Sequence, residues 1–263
     1  MLIIVTSDTH KGFTEKTHRR HEKFWSTVAQ QNPDLLLIAG DLTTKYQKTI
    51  VSTFRQIRKH LSCDIAMVWG NHDYWDGEQR FRHIQQFFEW HAKCCQDFNI
   101  IDLNIRTYET DRIWVTGFDG WYGSVNPPSN DLHWMPTRMQ DCPTHHWMNK
   151  RADTALNNIL QNIPADPRVK ICVTHFPPFN ILKFGDANRY KSFGYHGDEF
   201  NANPRYLEFI QEKFRYLVCG HSHQEVNTEY QGLGIINPGS DYELPKFITL
   251  DIPDESGPSK PIV

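Results

Sequence analysis

Leu35-Leu36-Leu37-Ile38-Ala39-Gly40-Asp41 is an unbroken apolar run closed by a glycine and a carboxylate. Such a run, without alternation, is typical of a strand covered on both faces, as in a parallel sheet between helices. The plan recurs on either side. Upstream, Leu2-Ile3-Ile4-Val5 leads to Asp8-Thr9-His10; downstream, Ile65-Ala66-Met67-Val68-Trp69 leads to Gly70-Asn71-His72-Asp73. Between these runs, Thr17 to Gln31 reads as a helix. So does Lys48 to His60, where Ile50, Phe54, Ile57 and Leu61 recur at helical spacing. A further helix is expected over Glu78 to Gln96, with Phe81, Ile84, Phe87 and Phe88 on one face. Strands and helices in alternation indicate an α/β fold.

The pattern breaks from Asp119 to Asn149, a stretch with Pro127, Pro128, Pro136 and Pro143 and with Trp121, Trp134 and Trp147. Loops of that length are functional or disordered, and the aromatic content favours a packed lid. A helix from Arg151 to Asn162 and a strand from Val169 to Thr174 follow; Phe176 to Asn203 is again irregular. The remainder is strand-rich, at Tyr216 to Cys219, Glu225 to Tyr230, Gly234 to Ile236 and Lys246 to Asp251. The expected organisation is one domain over 1–251 with a lid-like insertion at about 119–149, then a flexible tail over 252–263.

Composition narrows the function. The chain has 263 residues, 39% hydrophobic and 22% charged, with a net charge of -3. No apolar run is long enough to span a membrane as a helix. The first residues lack the basic and long apolar regions of a signal peptide and read as a strand. A net negative charge argues against a strongly basic nucleic-acid surface. Six cysteines without a CxxC pair support neither a disulfide framework nor a cysteine zinc site, and a reducing, cytoplasmic location is expected. Cys172 and Cys219, inside strand-like runs, read as small core residues.

Five motifs stand at the carboxyl ends of expected strands: Asp8-Thr9-His10, Gly40-Asp41, Gly70-Asn71-His72-Asp73, Thr174-His175 and Gly220-His221-Ser222-His223. In open α/β sheets that edge is where ligands bind. Taken singly, Asp8, Asp41 and Asn71 are ordinary cap or turn residues, and His175 is an ordinary buried imidazole. Together, Asp8, His10, Asp41, Asn71, His175, His221 and His223 make a set of carboxylates, amide and imidazoles suited to Mn, Fe, Zn or Ni. Seven donors exceed the four of a tetrahedral ion. Shared between two ions with one bridging carboxylate, they give each four protein ligands. The spacing of Asp8 with His10 and of His221 with His223 fits extended segments whose alternate side chains point the same way.

This ordered set resembles the calcineurin-like metallophosphoesterase superfamily, whose pattern runs DxH, GDxxD, GNHD/E, H and GHxH. The resemblance spans Asp8 to His223. It implies a four-layer α/β/β/α sandwich of two mixed sheets with flanking helices and a dinuclear metal site at the strand C-terminal ends. It implies Asp8, His10, Asp41 and His223 as ligands of one metal, and Asp41, Asn71, His175 and His221 as ligands of the other, with Asp41 as bridge. His72 matches the residue that contacts phosphate and protonates the leaving group. One position departs: GDxxD calls for a carboxylate three residues after Asp41, where this chain has Thr44. In members that keep it, that carboxylate can orient the histidine equivalent to His72.

The implied activity is hydrolysis of a phosphomonoester or phosphodiester, as a phosphatase or phosphodiesterase, by a metal-bridging hydroxide. Two divalent ions per chain lower the pKa of the bridging water and stabilise the developing phosphoryl charge. His72 supplies the proton to the leaving oxygen. A phosphorylated small molecule is the expected partner. A nuclease of the same superfamily is the alternative within enzymes, and a non-catalytic scaffold on the same fold the alternative outside them. Trp121, Tyr122, His133, Trp134, Arg138, His145 and His146 are candidates for substrate contact or for packing the lid onto the body.

Overall fold

The computed structural model describes residues 1–12, 15–44, 47–75, 80–123, 145–179, 201–240 and 244–253. Three of the apolar runs lie side by side as parallel strands β1 (Leu2–Thr6), β2 (Leu35–Ala39) and β3 (Asp64–Val68), with Ile4 opposite Leu36 and Leu36 opposite Ile65. β4 (Ile101–Asp102) extends this sheet in parallel beyond β3. The second sheet is built from β5 (Tyr108–Glu109), β6 (Ile113–Phe118), β7 (Val169–Thr174), β8 (Tyr216–Val218), β9 (Glu225–Tyr230) and β10 (Leu233–Pro238). β11 (Phe247–Asp251) returns to the first sheet, antiparallel to β1. The orders are β11-β1-β2-β3-β4 and β5-β6-β7-β8-β10-β9. Both sheets are mixed, since β5 and β9 are antiparallel edges on a parallel β6, β7, β8 and β10.

Strand alternation divides the apolar residues between two cores. Ile3, Val5, Leu35, Leu37, Ala66 and Val68 of the first sheet meet Ile113, Val115, Ile171, Val173 and Val218 of the second. The intervening residues, Ile4, Leu36, Ile38, Met67, Cys172 and Leu217, face the other way and pack with the helices. Each such buried aliphatic side chain contributes about 1.5–3 kcal/mol. Both strand faces are therefore apolar, which is why the runs show no alternation.

The helices are α1 (Glu15–Gln30), α2 (Gln47–His60), α3 (Ile84–Asp97), α4 (His145–Gln161) and α5 (Arg205–Lys213). Phe24 of α1 meets Phe247 of β11, and Phe54 of α2 meets Trp69 at the end of β3. On the other side, Tyr206 and the Phe214 that follows α5 meet Phe118 and Trp114 of β6. The result is the four-layer α/β/β/α sandwich.

Besides the short β5, which was not anticipated, three helices differ from expectation. α3 starts at Ile84, not Glu78, because His83 is extended (φ -134°, ψ 145°); Phe81 still packs on Phe87 and Trp90, from the segment before the helix. α4 starts six residues early, inside the stretch read as irregular. Its inward stripe is Met148, Ala152 and Leu156, so the first member precedes the expected start. α5 was not anticipated: in nine residues it buries only Tyr206 and Ile210. Residues 124–144 of the lid-like insertion and the tail from residue 254 lie outside the described residues, and with them His133, Trp134 and Arg138. The described cysteines are free, with Cys172 and Cys219 fully buried. No helix among the described residues is long and apolar enough to cross a membrane.

Candidate metal centre

The carboxyl ends of β1, β2, β3, β7 and β8 bring all seven residues of the expected ligand set to one place. Asp8, His10, Asp41, Asn71 and His175 are buried. His10 Nε2 lies 3.1 Å from His223 Nε2 and 3.6 Å from Asp41 Oδ2, and His223 Nε2 lies 3.6 Å from Asp8 Oδ1. Across Asp41, His175 Nε2 is 3.4 Å from Oδ2. Asn71 Oδ1 stands 3.0 Å from His175 Nε2 and 3.1 Å from His221 Nδ1. Potential ligand atoms of Asp8, His10 and His223 fall within 4.8 Å of one another, as do those of Asp41, His175 and His221, and those of His10, Asp41 and His72.

The backbone there is unusual. Asp8 (φ 51°), His10 (φ 44°), Asp41 (φ 53°), His221 (φ 65°) and His223 (φ 53°) are all left-handed, a region that few non-glycine residues occupy. This corrects the expectation that the Asp8–His10 and His221–His223 segments are extended. Both are left-handed at each end; the turns let successive donors face one point instead of spreading along a strand. Such strain persists only where its surroundings over-determine it. Here the surroundings are backbone bonds from Asp8 N to Gly40 O and from His10 N to Asp41 O, each 3.0 Å. Asn237 pins the other loop, its amide donating 2.9 Å bonds to Gly220 O and Ser222 Oγ. Gly70 is required sterically: a Cβ there would sit 2.5 Å from Asp41 N.

A single 3₁₀ turn, His72–Tyr74, distributes four consecutive side chains among four tasks. Asn71 faces His175 and His221. His72 donates its backbone N–H to Asp41 Oδ1 at 2.9 Å, and its ring stands edge-on to His10 with centroids 4.6 Å apart. Asp73 turns away and ties the loops together, accepting bonds from Leu42 N, Thr43 N, Thr43 Oγ1 and Gly70 N. The Tyr74 hydroxyl donates to Asp119 Oδ2. Thr44, where a carboxylate was expected, donates its hydroxyl to His10 O at 3.4 Å.

Electrostatics follow from burial and crowding. Burial is the largest influence on Asp8 and lifts its carboxyl to about 7, with His175 opposing and Asp41 adding to the rise. Burial also pushes Asp41 upward, but His175 and His72 beside it hold it well below the usual carboxylate range. Burial drives His10 and His221 well below the ordinary imidazole value; they stay neutral, the form that ligates metals. His175 behaves differently. Burial lowers it, yet Asp41, Asp8 and the hydrogen bonds to Asp41 and Ala39 O together raise it to about 9.

These residues fit divalent cations. His175 donates Nδ1–H to Ala39 O at 2.8 Å, which leaves Nε2 facing the oxygens of Asn71 and Asp41; a positive charge is favoured between them. Asp8 Oδ1 accepts the His221 amide at 2.8 Å. Asp8 Oδ2 is buried, with the Ser7 hydroxyl nearby but off hydrogen-bond geometry. A buried carboxylate oxygen left in that state costs about 1–3 kcal/mol or more, and a cation removes the cost.

Trp121 and Tyr122 do not line an opening. Both are buried, and Trp121 Nε1 donates to His145 Nδ1 at 3.0 Å. Tyr122 stands edge-on to His221, with centroids 5.3 Å apart, and His146 is exposed on α4. Sequence reasoning missed Asp119. Buried at the end of β6, its carboxylate accepts Trp69 N at 2.8 Å, Asn104 Nδ2 at 2.6 Å, Arg151 Nη1 at 2.8 Å and the Tyr74 hydroxyl. Its carbonyl accepts His175 N at 3.1 Å. Asp119 thus joins the two sheets beneath the site. Its one signal was placement, a carboxylate directly after a strand, as Asp41 is placed after Ala39-Gly40.

Comparison with known proteins agrees with this architecture. An uncharacterized protein of Acanthamoeba polyphaga mimivirus, L509, is 25% identical over 216 residues, covering 75% of each chain. Among solved structures, phosphopantetheinyl hydrolase of Mycobacterium tuberculosis superposes with a TM-score of 0.67 at 16% identity, covering 98% of both chains. A dimetal phosphatase of Danio rerio superposes at 0.60 and 10% identity, covering 95% of this chain and 91% of that one. Both likenesses are of fold. The family model of the calcineurin-like phosphoesterases matches residues 1–225, and the chain belongs to that family.

Proposed function

We propose that this protein is a metal-dependent phosphoesterase that hydrolyses a phosphorylated small molecule, with His72 donating the proton to the leaving oxygen. Asp8, His10, Asp41 and His223 hold one divalent cation, and Asp41, Asn71, His175 and His221 hold the other. The observation that carries this reading is the position of Asp41, whose Oδ2 lies 3.6 Å from His10 Nε2 and 3.4 Å from His175 Nε2, with a carboxylate oxygen also within 4.8 Å of a ring nitrogen of His221. When bound, a pair of divalent cations supplies Lewis-acid stabilisation of phosphoryl charge and activation of water.

The chain's own residues do the rest. His175 is fixed through Nδ1–H to Ala39 O, so that Nε2 alone faces the cation site; such outer partners set the orientation of a ligating imidazole. Asp73 ties together the loops after β2 and β3 that carry Asp41 and Asn71. His72, on the rim of the same cluster, reaches a leaving group from the side of His10 and Asp41. The net charge of -3 favours a small phosphoester over a nucleic acid.

The test is hydrolysis of a phosphoester panel by protein stripped with a chelator and reconstituted with Mn, Ni, Co, Zn or Mg. Stripped protein should be inactive and at least one cation should restore turnover. Full activity in the stripped protein would contradict the reading.

A further inference from the structure

We propose that Trp75 is a positioning residue for His72, its indole plane setting the angle at which the imidazole meets a leaving oxygen. The inference rests on the reading of His72 as proton donor.

In a 3₁₀ turn the side chains of residues i and i+3 eclipse. The turn that carries His72 is closed by a 3.2 Å bond from Trp75 N to His72 O, so Trp75 comes directly over His72. The ring centroids are 3.7 Å apart and the planes tilted by 35°. His10 stands edge-on to the same imidazole at 4.6 Å and 81°, so two rings pack against it. A histidine χ2 torsion is broad and two-fold unless packing narrows it, and this packing narrows it. A ring nitrogen of His72 is thereby kept within 4.8 Å of the ligand-type atoms of His10 and Asp41. Thr44, engaged with His10 O, brings no carboxylate to orient the ring. The indole face of Trp75 is one contact that can set the ring's angle.

The step depends on this angle. Water oxygen forms a new bond to phosphorus and its proton passes to solvent. The bond from phosphorus to the leaving oxygen breaks, that oxygen keeps the electron pair and takes the proton of His72, and a neutral imidazole remains. An alkoxide needs that proton; a nitrophenolate leaves without it.

The experiment compares Trp75→Leu, Trp75→Phe, His72→Ala and the double variant His72→Ala/Trp75→Leu on an alkyl and a nitrophenyl phosphoester. Leucine fills space without offering a flat face. Trp75→Leu should lower kcat on the alkyl ester by about 10–10²-fold, part of the 10²–10⁴ that a general acid supplies. It should leave the nitrophenyl ester and metal content nearly unchanged. Trp75→Phe should restore most of the loss, and Trp75→Leu should add nothing once His72 is alanine. Equal losses on both esters for Trp75→Leu, or a full additional loss in the double variant, would overturn the proposal while leaving His72 in its role. If His72→Ala itself lacks leaving-group dependence, the reading of His72 fails and the role of Trp75 with it.

Discussion

The backbone amide of His221 donates a 2.8 Å hydrogen bond to Asp8 Oδ1, joining the first and last motifs across 213 residues. The bond crosses from the end of β8 in one sheet to the end of β1 in the other. It also fixes the carboxylate so that one oxygen is satisfied by the chain while Oδ2 stays buried and unbonded. A cation beside that oxygen would offset the cost of its burial.

Divalent cation should consequently raise stability. A ligand at 100 times its Kd adds about 2.7 kcal/mol, read as a higher urea midpoint with saturating Mn than with chelator. Asp8→Asn should remove most of that gain while leaving the chelated protein as stable as its parent, because a buried charge has gone. An unchanged gain in Asp8→Asn would show that Asp8 takes no part in binding.

Gly70→Ala places a Cβ 2.5 Å from Asp41 N, too close to be accommodated without moving the loop. Displacing a site by about 1 Å can cost about 10²-fold in rate. We expect a loss of that order with far-UV circular dichroism preserved. Wild-type turnover in Gly70→Ala would mean that the loop after β2 is free to shift.

Asp119 tests the junction of the sheets. Removing one member of a buried ion pair typically costs about 3–5 kcal/mol, and Asp119→Ala also strands Trp69 N and the Tyr74 hydroxyl. Urea unfolding should show a loss in that range. Tyr74→Phe, which deletes one donor, should lose about 1–3 kcal/mol. A loss below 1 kcal/mol in Asp119→Ala would show that the network is peripheral.

The site's position was legible in the sequence because each donor follows an apolar run, and apolar runs buried on both faces are the plainest signal a chain carries. Its backbone was not. The spacing of Asp8 with His10 suits an extended segment equally well, and only the bonds that the Asp8 and His10 amides donate to the Gly40 and Asp41 carbonyls decide for left-handed turns. Asp119 was visible only as a residue after a strand, since its partners Trp69 and Tyr74, Asn104, and Arg151 come from three separate segments. The early start of α4 was hidden by Trp147, which is partly exposed and stacks on Phe88, so the stripe begins only at Met148. α5 is too short for its two inward residues to form a pattern.

His91 supplies a pH dependence away from the cluster. It lies buried on α3, with Nε2 3.2 Å from Asp73 O and Nδ1 2.8 Å from Phe87 O, and burial lowers it to about 4. Between about 4 and its unfolded value of 6.5 the unfolded chain binds the proton and the folded chain does not. Stability therefore falls as pH drops through that window, by about 3 kcal/mol in full. Above pH 6.5 this contribution is flat. Urea midpoints of wild type and His91→Phe at pH 7 and pH 5 should differ in slope, the variant losing less. Parallel slopes would mean that His91 titrates normally in the fold.

The central claim is a pair of cations sharing Asp41. Anomalous scattering and elemental analysis of Mn-loaded protein measure it directly: two ions per chain in the wild type, and depleted occupancy of both in Asp41→Asn, whereas His10→Ala depletes mainly one. A single tight ion in the wild type, or two fully occupied ions in Asp41→Asn, would contradict it.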